Sequence, residues 1–171
     1  ADKGARVIVI SKVGRDPKES NAPIGAAMKR YLSVFFVPDI VGTVAKSAIA
    51  AMKNGDILLL ENLQQDPREV SGDESFGKAL AALADIYVND SFAVDHREHA
   101  SLVGVPKLLP HYAGFVVRDE VREIDTARTP HHPSFAILGG AKFETKAPLI
   151  KLLLEKYDNV FITGALATDI F

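Results

Sequence analysis

Ile86-Tyr87-Val88-Asn89-Asp90-Ser91-Phe92-Ala93-Val94-Asp95-His96-Arg97-Glu98-His99-Ala100-Ser101 is the stretch on which the reading of the fold turns. Its first three residues are β-branched or aromatic, the composition of a short buried strand. Asn89 and Asp90 then break the run with side chains that end strands and start turns. His96, Arg97 and His99 follow closely. A buried strand that delivers cationic and titratable groups just past its carboxyl end is how open α/β sheets build ligand sites. The same charges also fit a solvated loop with an ordinary salt bridge from Arg97 to Asp95 or Glu98.

Upstream of this stretch, strands and helices alternate. Residues 6–11 (RVIVIS) predict a strand, and Asn21 is placed to cap a helix through Ile24, Ala27, Met28 and Tyr31. Residues 34–37 predict a second strand, stopped by Pro38. Residues 41–52 predict a helix with Val44, Ala48, Ile49 and Met52 on its inner face, closed by Asn54-Gly55. Residues 56–60 predict a third strand, and 74–84 a helix with Phe76, Leu80 and Leu83 inward.

Downstream, residues 102–110 carry Gly104, Pro106 and Pro110 and predict a short helix or coil. Residues 114–128 form one long helical pattern with Phe115, Val117, Val121 and Ile124 apolar. The run Thr129-Pro130-His131-His132-Pro133 breaks it and reads as a domain boundary. Its adjacent histidines lack a carboxylate at ligand spacing and read as a solvated hinge, so no metal site is expected. A new unit then opens with a strand at 135–138, a Gly139-Gly140 turn, a helix at 142–157 and a strand at 160–163. The expected fold class is α/β: a parallel sheet with helices on both faces, a Rossmann-like three-layer arrangement.

Bulk composition narrows the function. The chain has 171 residues, 47% of them hydrophobic and 25% charged, enough to bury a core. A net charge of -2 gives no general attraction to nucleic acid or to a membrane, so any anion site must be a local patch. There is no cysteine, which fits a reducing cytoplasm. No apolar run approaches the roughly 18 residues of a membrane span, and the first residues, ADKGARVIVIS, lack the layout of a secretory signal.

Three further motifs sit just past strand ends. In Ser11-Lys12-Val13-Gly14-Arg15, glycine permits a tight turn and Arg15 can fork onto a phosphate or carboxylate; taken in isolation the motif reads first as a surface loop with two cations. Glu61-Asn62-Leu63-Gln64-Gln65 places polar groups on the same sheet edge, or simply caps a helix. In Ile137-Leu138-Gly139-Gly140-Ala141-Lys142-Phe143-Glu144-Thr145-Lys146, a glycine turn opens a helix, which makes an anion site possible. Lys142 and Lys146 lie on one helical face there. The spacing is not that of a Walker loop.

Taken together these pieces resemble the phosphoglycerate kinase family. Four stretches carry the likeness in the family's order: SKVGRDPKES (11–20), GDILLLENLQQDPRE (55–69), ALADIYVNDSFAVDHREHASLVGVPKLLPHYAGF (82–115) and ILGGAKFETKAPLIKLLLEKYDNVFITGALA (137–167). The resemblance implies a partial phosphoglycerate kinase fold. It implies a 3-phosphoglycerate-binding domain over 1–112, an interdomain helix and linker over 113–133, and the start of a nucleotide-binding domain over 134–171. The implied reaction is reversible phosphoryl transfer between 1,3-bisphosphoglycerate and ADP, giving 3-phosphoglycerate and ATP in glycolysis. Mg-ATP or Mg-ADP is the nucleotide, and the implied protein is a cytoplasmic monomer.

Residue by residue, Arg15 matches the substrate-binding arginine of the family's Ser-His-x-Gly-Arg loop, and Arg97, with His96 beside it, the arginine of its His-Arg-x-His segment. Lys142 matches a catalytic lysine near the transferring phosphoryl group. Lys146 matches a nucleotide-phosphate contact, and Gly139, Gly140 and Gly164 fall in its nucleotide-binding turns. Lys12 stands where the family has the loop histidine and keeps a charge in the substrate patch. Gln64 stands where it has the arginine of Glu-Asn-x-Arg, a lost charge-assisted bond of roughly 1.5–3 kcal/mol. Thr163 and Ala165 replace glycines. The family's first strand, with its Asp-Phe-Asn-x-Pro loop, and most of its nucleotide domain have no match in these residues. The chain alone is therefore expected not to turn over. The rival expectation is a non-catalytic binding or structural protein on a degenerate scaffold of this kind.

Overall fold

Ile57–Leu60 (β3) is the central strand of a three-stranded parallel sheet in the computed structural model, which describes residues 1–141 and 143–168. Val7–Val9 (β1) lies on one side and Val34–Val37 (β2) on the other, with Val7 and Val34 both opposite Ile57. Leu59 and Leu60 are wholly buried, as a continuous apolar run requires of an inner strand.

Helices cover both faces of this sheet. Ala22–Met28 (α1) packs on the Leu59 side: a Cβ at Gly25 would lie 3.2 Å from Cβ of Phe36 and 3.4 Å from Cδ2 of Leu59. Thr43–Ala50 (α2) packs on the opposite side, where Val37, Ala45, Met52, Leu58 and Leu60 form one cluster. Leu58 and Leu60 face one way and Leu59 the other, the two-residue period of a strand.

Two sequence expectations are corrected here. Val44, read as an inner residue of α2, is 55% exposed, while Ala45 is fully buried. The inner stripe is Ala45, Ala48, Ile49 and Met52, at helical spacings of three and four. Size misled the reading; a methyl side chain lets the helix sit close to the sheet. Asn21 occupies the cap position of α1 but makes no side-chain cap bond. Its amide donates instead to the Leu60 carbonyl at 3.0 Å, tying the helix start to the end of β3.

Pro67–Val70 (α3) and Glu74–Ala81 (α4) follow β3. Asp66 and Asp73 cap them, each accepting at 3.0 Å, from the N–H groups of Arg68 and Phe76 respectively. Phe76 and Leu80 anchor a second cluster with Ile40, Leu63, Ala100 and Val105. Tyr87–Asn89 (β4) pairs in parallel with His111–Ala113 (β5), a strand with no sequence signal of its own. Ile86 and Val88 are more than half exposed, so the buried strand expected there is covered on one side only. Tyr87 packs against the Phe76 cluster and its neighbours face away. Between β4 and β5 the chain makes a wide π-type turn over Ala100–Gly104 and a 3-10 turn over Val105–Lys107.

A second compact unit begins at Phe115. It holds Phe115–Arg128 (α5), Phe135–Gly139 (β6), Phe143–Lys156 (α6), Asn159–Thr163 (β7) and Ala165–Thr168 (α7). β6 and β7 are parallel, with Gly139 opposite Thr163 at their carboxyl ends. In the linker before β6, His132 is exposed and its Nδ1 lies 2.8 Å from Asp158 Oδ2, which also accepts from Ser134 N at 2.7 Å. The His132 bond, then the Ser134 bonds, hold the Asp158 carboxyl down at about 2.

The α2 correction is open to measurement. Val44→Ala is expected to change stability by less than about 0.5 kcal/mol. Ala45→Val, which forces two extra methyl groups against the sheet, is expected to cost about 1–3 kcal/mol. Urea unfolding midpoints of the two variants give the comparison.

Candidate functional site

The loop after β1 is shaped by the residues that follow β3. Asn62 is wholly buried and uses every polar position. Its Oδ1 accepts from Val13 N at 3.2 Å and Gln64 N at 3.1 Å. Its Nδ2 donates to the carbonyls of Val13 at 3.1 Å and Glu19 at 2.9 Å. Gln64 Nε2 donates to the carbonyls of Val13 at 3.2 Å and Gly14 at 2.8 Å, and Gln65 Nε2 to that of Glu19 at 3.1 Å. Glu61 accepts from Asn21 N and Asn62 N, both at 2.7 Å, and from Ser20 Oγ at 2.8 Å. Burial pushes its carboxyl up, but these donors outweigh burial and hold it below its usual range.

Within the loop, Gly14 has φ +63°, a conformation that side chains rarely adopt, and the Glu19 carboxylate fills the space a Cβ would need. That carboxylate accepts from the N–H groups of Arg15 and Asp16, both at 3.3 Å. These bonds restrain the Arg15 backbone while its side chain is exposed. Past β4, Asn89 Nδ2 donates to Asp95 at 2.7 Å, and Arg97 N to the Val94 carbonyl at 3.0 Å. His96 and Arg97 are exposed. Among the described residues, no ion pair or side-chain hydrogen bond engages Arg15, His96 or Arg97.

A buried cluster joins the two loops. Glu69, on α3, is wholly buried. It accepts from Lys12 Nζ at 3.0 Å, Ser101 Oγ at 2.6 Å and Ser101 N at 3.0 Å. Lys12 Nζ also donates to His99 Nδ1 at 3.1 Å. An ammonium has no lone pair to offer, so this bond places the His99 ring proton on Nε2. Burial, then the Lys12 charge, push the His99 pKa below 6.5. The cluster joins the Lys12 loop to the segment that bears His99 and Ser101. It also turns the Lys12 ammonium inward.

Sequence reasoning missed Glu69, Asn62 and His99 as organisers. Asp66-Pro67-Arg68-Glu69 has the spacing of a capping box, and nothing in that pattern marks Glu69 as interior.

The second unit gathers its own set of residues. Gly164, at φ +70°, lies beside Gly140: a Cβ on Gly164 would be 3.6 Å from the Gly140 carbonyl oxygen. That oxygen accepts from Leu166 N at 2.8 Å. Lys146 crosses over Gly140, its Cε 3.5 Å from where a Cβ there would sit. Thr163 Cγ2 lies 3.2 Å from the corresponding position on Gly139. Gly139, Gly140, Lys146 and Gly164 are therefore neighbours at the carboxyl ends of β6 and β7; Lys142 lies outside the described residues.

Parallel α/β units whose polar loops collect past the strand ends define a class, the open α/β proteins that bind ligands at that edge. The family model for phosphoglycerate kinase matches residues 1–171. The chain is 43% identical to the phosphoglycerate kinase of Pseudothermotoga lettingae, over 96% of this chain and 44% of that protein. It is 42% identical to that of Aquifex aeolicus, over 97% and 44%. The crystal structure of phosphoglycerate kinase from Pyrococcus horikoshii superposes with a TM-score of 0.86 at 28% identity, covering 98% of this chain and 45% of that one. This chain belongs to the phosphoglycerate kinase family, and it spans a little under half the length of the relatives it matches.

Removing the Glu69 carboxylate strands the Lys12 ammonium beside an unpaired serine. Glu69→Ala is expected to destabilise the fold by roughly 3–5 kcal/mol, read by urea unfolding. His99 adds a pH term of definite sign. Its folded pKa lies below 6.5, so the unfolded chain takes the proton first. That part of the stability is full above pH 6.5 and is lost as pH falls through the lowered value. His99→Gln is expected to flatten the stability profile over this acidic range, checked by unfolding midpoints across the pH series.

Proposed function

We propose that the protein of which this chain is part is a phosphoglycerate kinase, transferring a phosphoryl group between 1,3-bisphosphoglycerate and ADP. In this reading the first unit, with the loops after β1 and β4, takes 3-phosphoglycerate, and the unit that begins at Phe115 opens the nucleotide site. The observation that carries it is the pair Arg15 and Arg97: exposed, unpaired guanidiniums on two loops that the Lys12–His99 contact holds together. A guanidinium with no internal partner suits a planar carboxylate or a phosphate.

Run toward ATP consumption, a carboxylate oxygen of 3-phosphoglycerate bonds to the γ-phosphorus as the bond to the β–γ bridging oxygen breaks, releasing ADP. Chemistry of this kind asks the protein for position and charge neutralisation rather than for covalent help. Arg15, Arg97 and His96 serve the substrate. Gly139, Gly140 and Gly164 supply close backbone approach to the nucleotide phosphates, with Lys146 as a cation over the turn and Lys142, by family likeness, at the transferring group. In this reading magnesium enters as part of the nucleotide. A cytoplasmic, glycolytic role accompanies this reading.

A binding protein without turnover is the second reading. It is favoured by Lys12 and Gln64, whose donors face protein atoms rather than the outside.

Calorimetric titration of the chain with 3-phosphoglycerate tests the substrate half. Saturable binding that weakens with salt is expected, and Arg97→Ala is expected to lower affinity by about one to two decades. A folded chain that binds no 3-phosphoglycerate would sink the assignment of this unit. Turnover of both substrates by the complete protein, lost in Lys146→Ala, separates the kinase from the binding protein.

A further inference from the structure

The Gly14–Arg15 peptide group is held at both ends. Its carbonyl accepts from Gln64 Nε2 at 2.8 Å, and its N–H donates to Glu19 Oε1 at 3.3 Å. A peptide is a rigid plane. Fixing its oxygen and its N–H places the Arg15 Cα, and the Asp16 N–H, which also donates to Glu19 Oε1 at 3.3 Å, restrains the next peptide and with it the direction in which the Arg15 side chain leaves the loop. The same Gln64 amide also holds the Val13 carbonyl at 3.2 Å, so one NH2 group spans two successive carbonyls with its two donors. Glu19 is exposed, and its long bonds do not fix the plane alone. Gly14, at φ +63°, has no side chain to stiffen the turn.

We infer that Gln64 is a positioning residue that aims Arg15 at the substrate anion. Where the family pattern puts a cation, this chain has a neutral donor that braces the loop bearing another cation. The inference rests on the substrate reading above only for its ligand; the bracing itself is a property of the free protein. Lys12 cannot do this work, because its ammonium is engaged by Glu69 and His99. Asn62 braces Val13 and Glu19 but does not reach the Gly14 carbonyl.

Two measurements on Gln64→Ala test it. Gln64→Met, which keeps the length and removes the amide, guards against a packing effect. In the free protein, the 15N order parameter of the Arg15 amide is expected to fall from a rigid value of about 0.85 to below about 0.6, with Leu58, Leu59 and Leu60 unchanged. With 3-phosphoglycerate as probe, the Kd is expected to rise about tenfold in Gln64→Ala. That rise is expected to shrink below about twofold when Arg15 is already alanine, the signature of a residue acting through another. An unchanged Arg15 order parameter in both variants overturns the inference. So does an equal loss of affinity with and without Arg15, which would put Gln64 itself on the anion. If the parent chain binds no 3-phosphoglycerate but Arg15 loosens in both variants, the bracing role stands and the substrate reading fails.

Discussion

A carboxylate cannot stay ionised in a protein interior without partners, and Glu69 is wholly interior. Its partners come from far apart in the chain: Lys12 from the loop after β1, and Ser101 from the segment after β4. His99 joins through Lys12. The cost of leaving any of these groups unpaired forces the two loops to one place. Apolar packing brings α3 and α4 to the sheet edge, but it has no directional preference and cannot fix a loop to a fraction of an ångström. The hydrogen-bonded charge cluster supplies that direction.

Asn62 repeats the logic with a neutral side chain. The central strand ends at Leu60, and the next two residues, Glu61 and Asn62, stay inside rather than turning to solvent. Glu61 gathers the start of α1; Asn62 gathers Val13 and Glu19. The most buried strand of the sheet thus passes its order to the loop of a neighbouring strand through two polar residues. Every side-chain polar atom of Asn62 is satisfied at this depth, so Val13 and Glu19 have little freedom left, and the Gly14–Arg15 peptide between them is held by Gln64 and Glu19.

The alternation of strands and helices, the parallel pairing and the three-layer packing of the first sheet were legible in the sequence, because they follow from apolar period and length. So were Ala48, Ile49 and Met52 on the inner face of α2; Ala45 was not, since Val44 outranks it in hydrophobicity while close packing prefers the smaller residue. β5 escaped because three exposed residues, His111, Tyr112 and Ala113, carry no apolar pattern; β4 recruits them. The four loop motifs were found by their places past strand ends. What each side chain does there was hidden, because a lysine bound for a buried carboxylate and an arginine bound for solvent look alike in a list of charges.

The proposed anion site turns on that difference between its cations. Counting cations, position 12 retains a charge and position 64 loses one. Geometry reverses the emphasis. Lys12 spends its charge on Glu69 and adds little field outside, whereas Gln64, with no charge, is proposed to set the direction of an arginine whose side chain has no partner among the described residues. Electrostatic stabilisation depends on donors fixed before the ligand arrives, because a mobile guanidinium gives back in lost side-chain freedom much of what it gains in attraction. A site with fewer cations held firmly can therefore match one with more cations held loosely. In the proposed site, position 64 contributes to anion binding by orientation, and only while Arg15 is present.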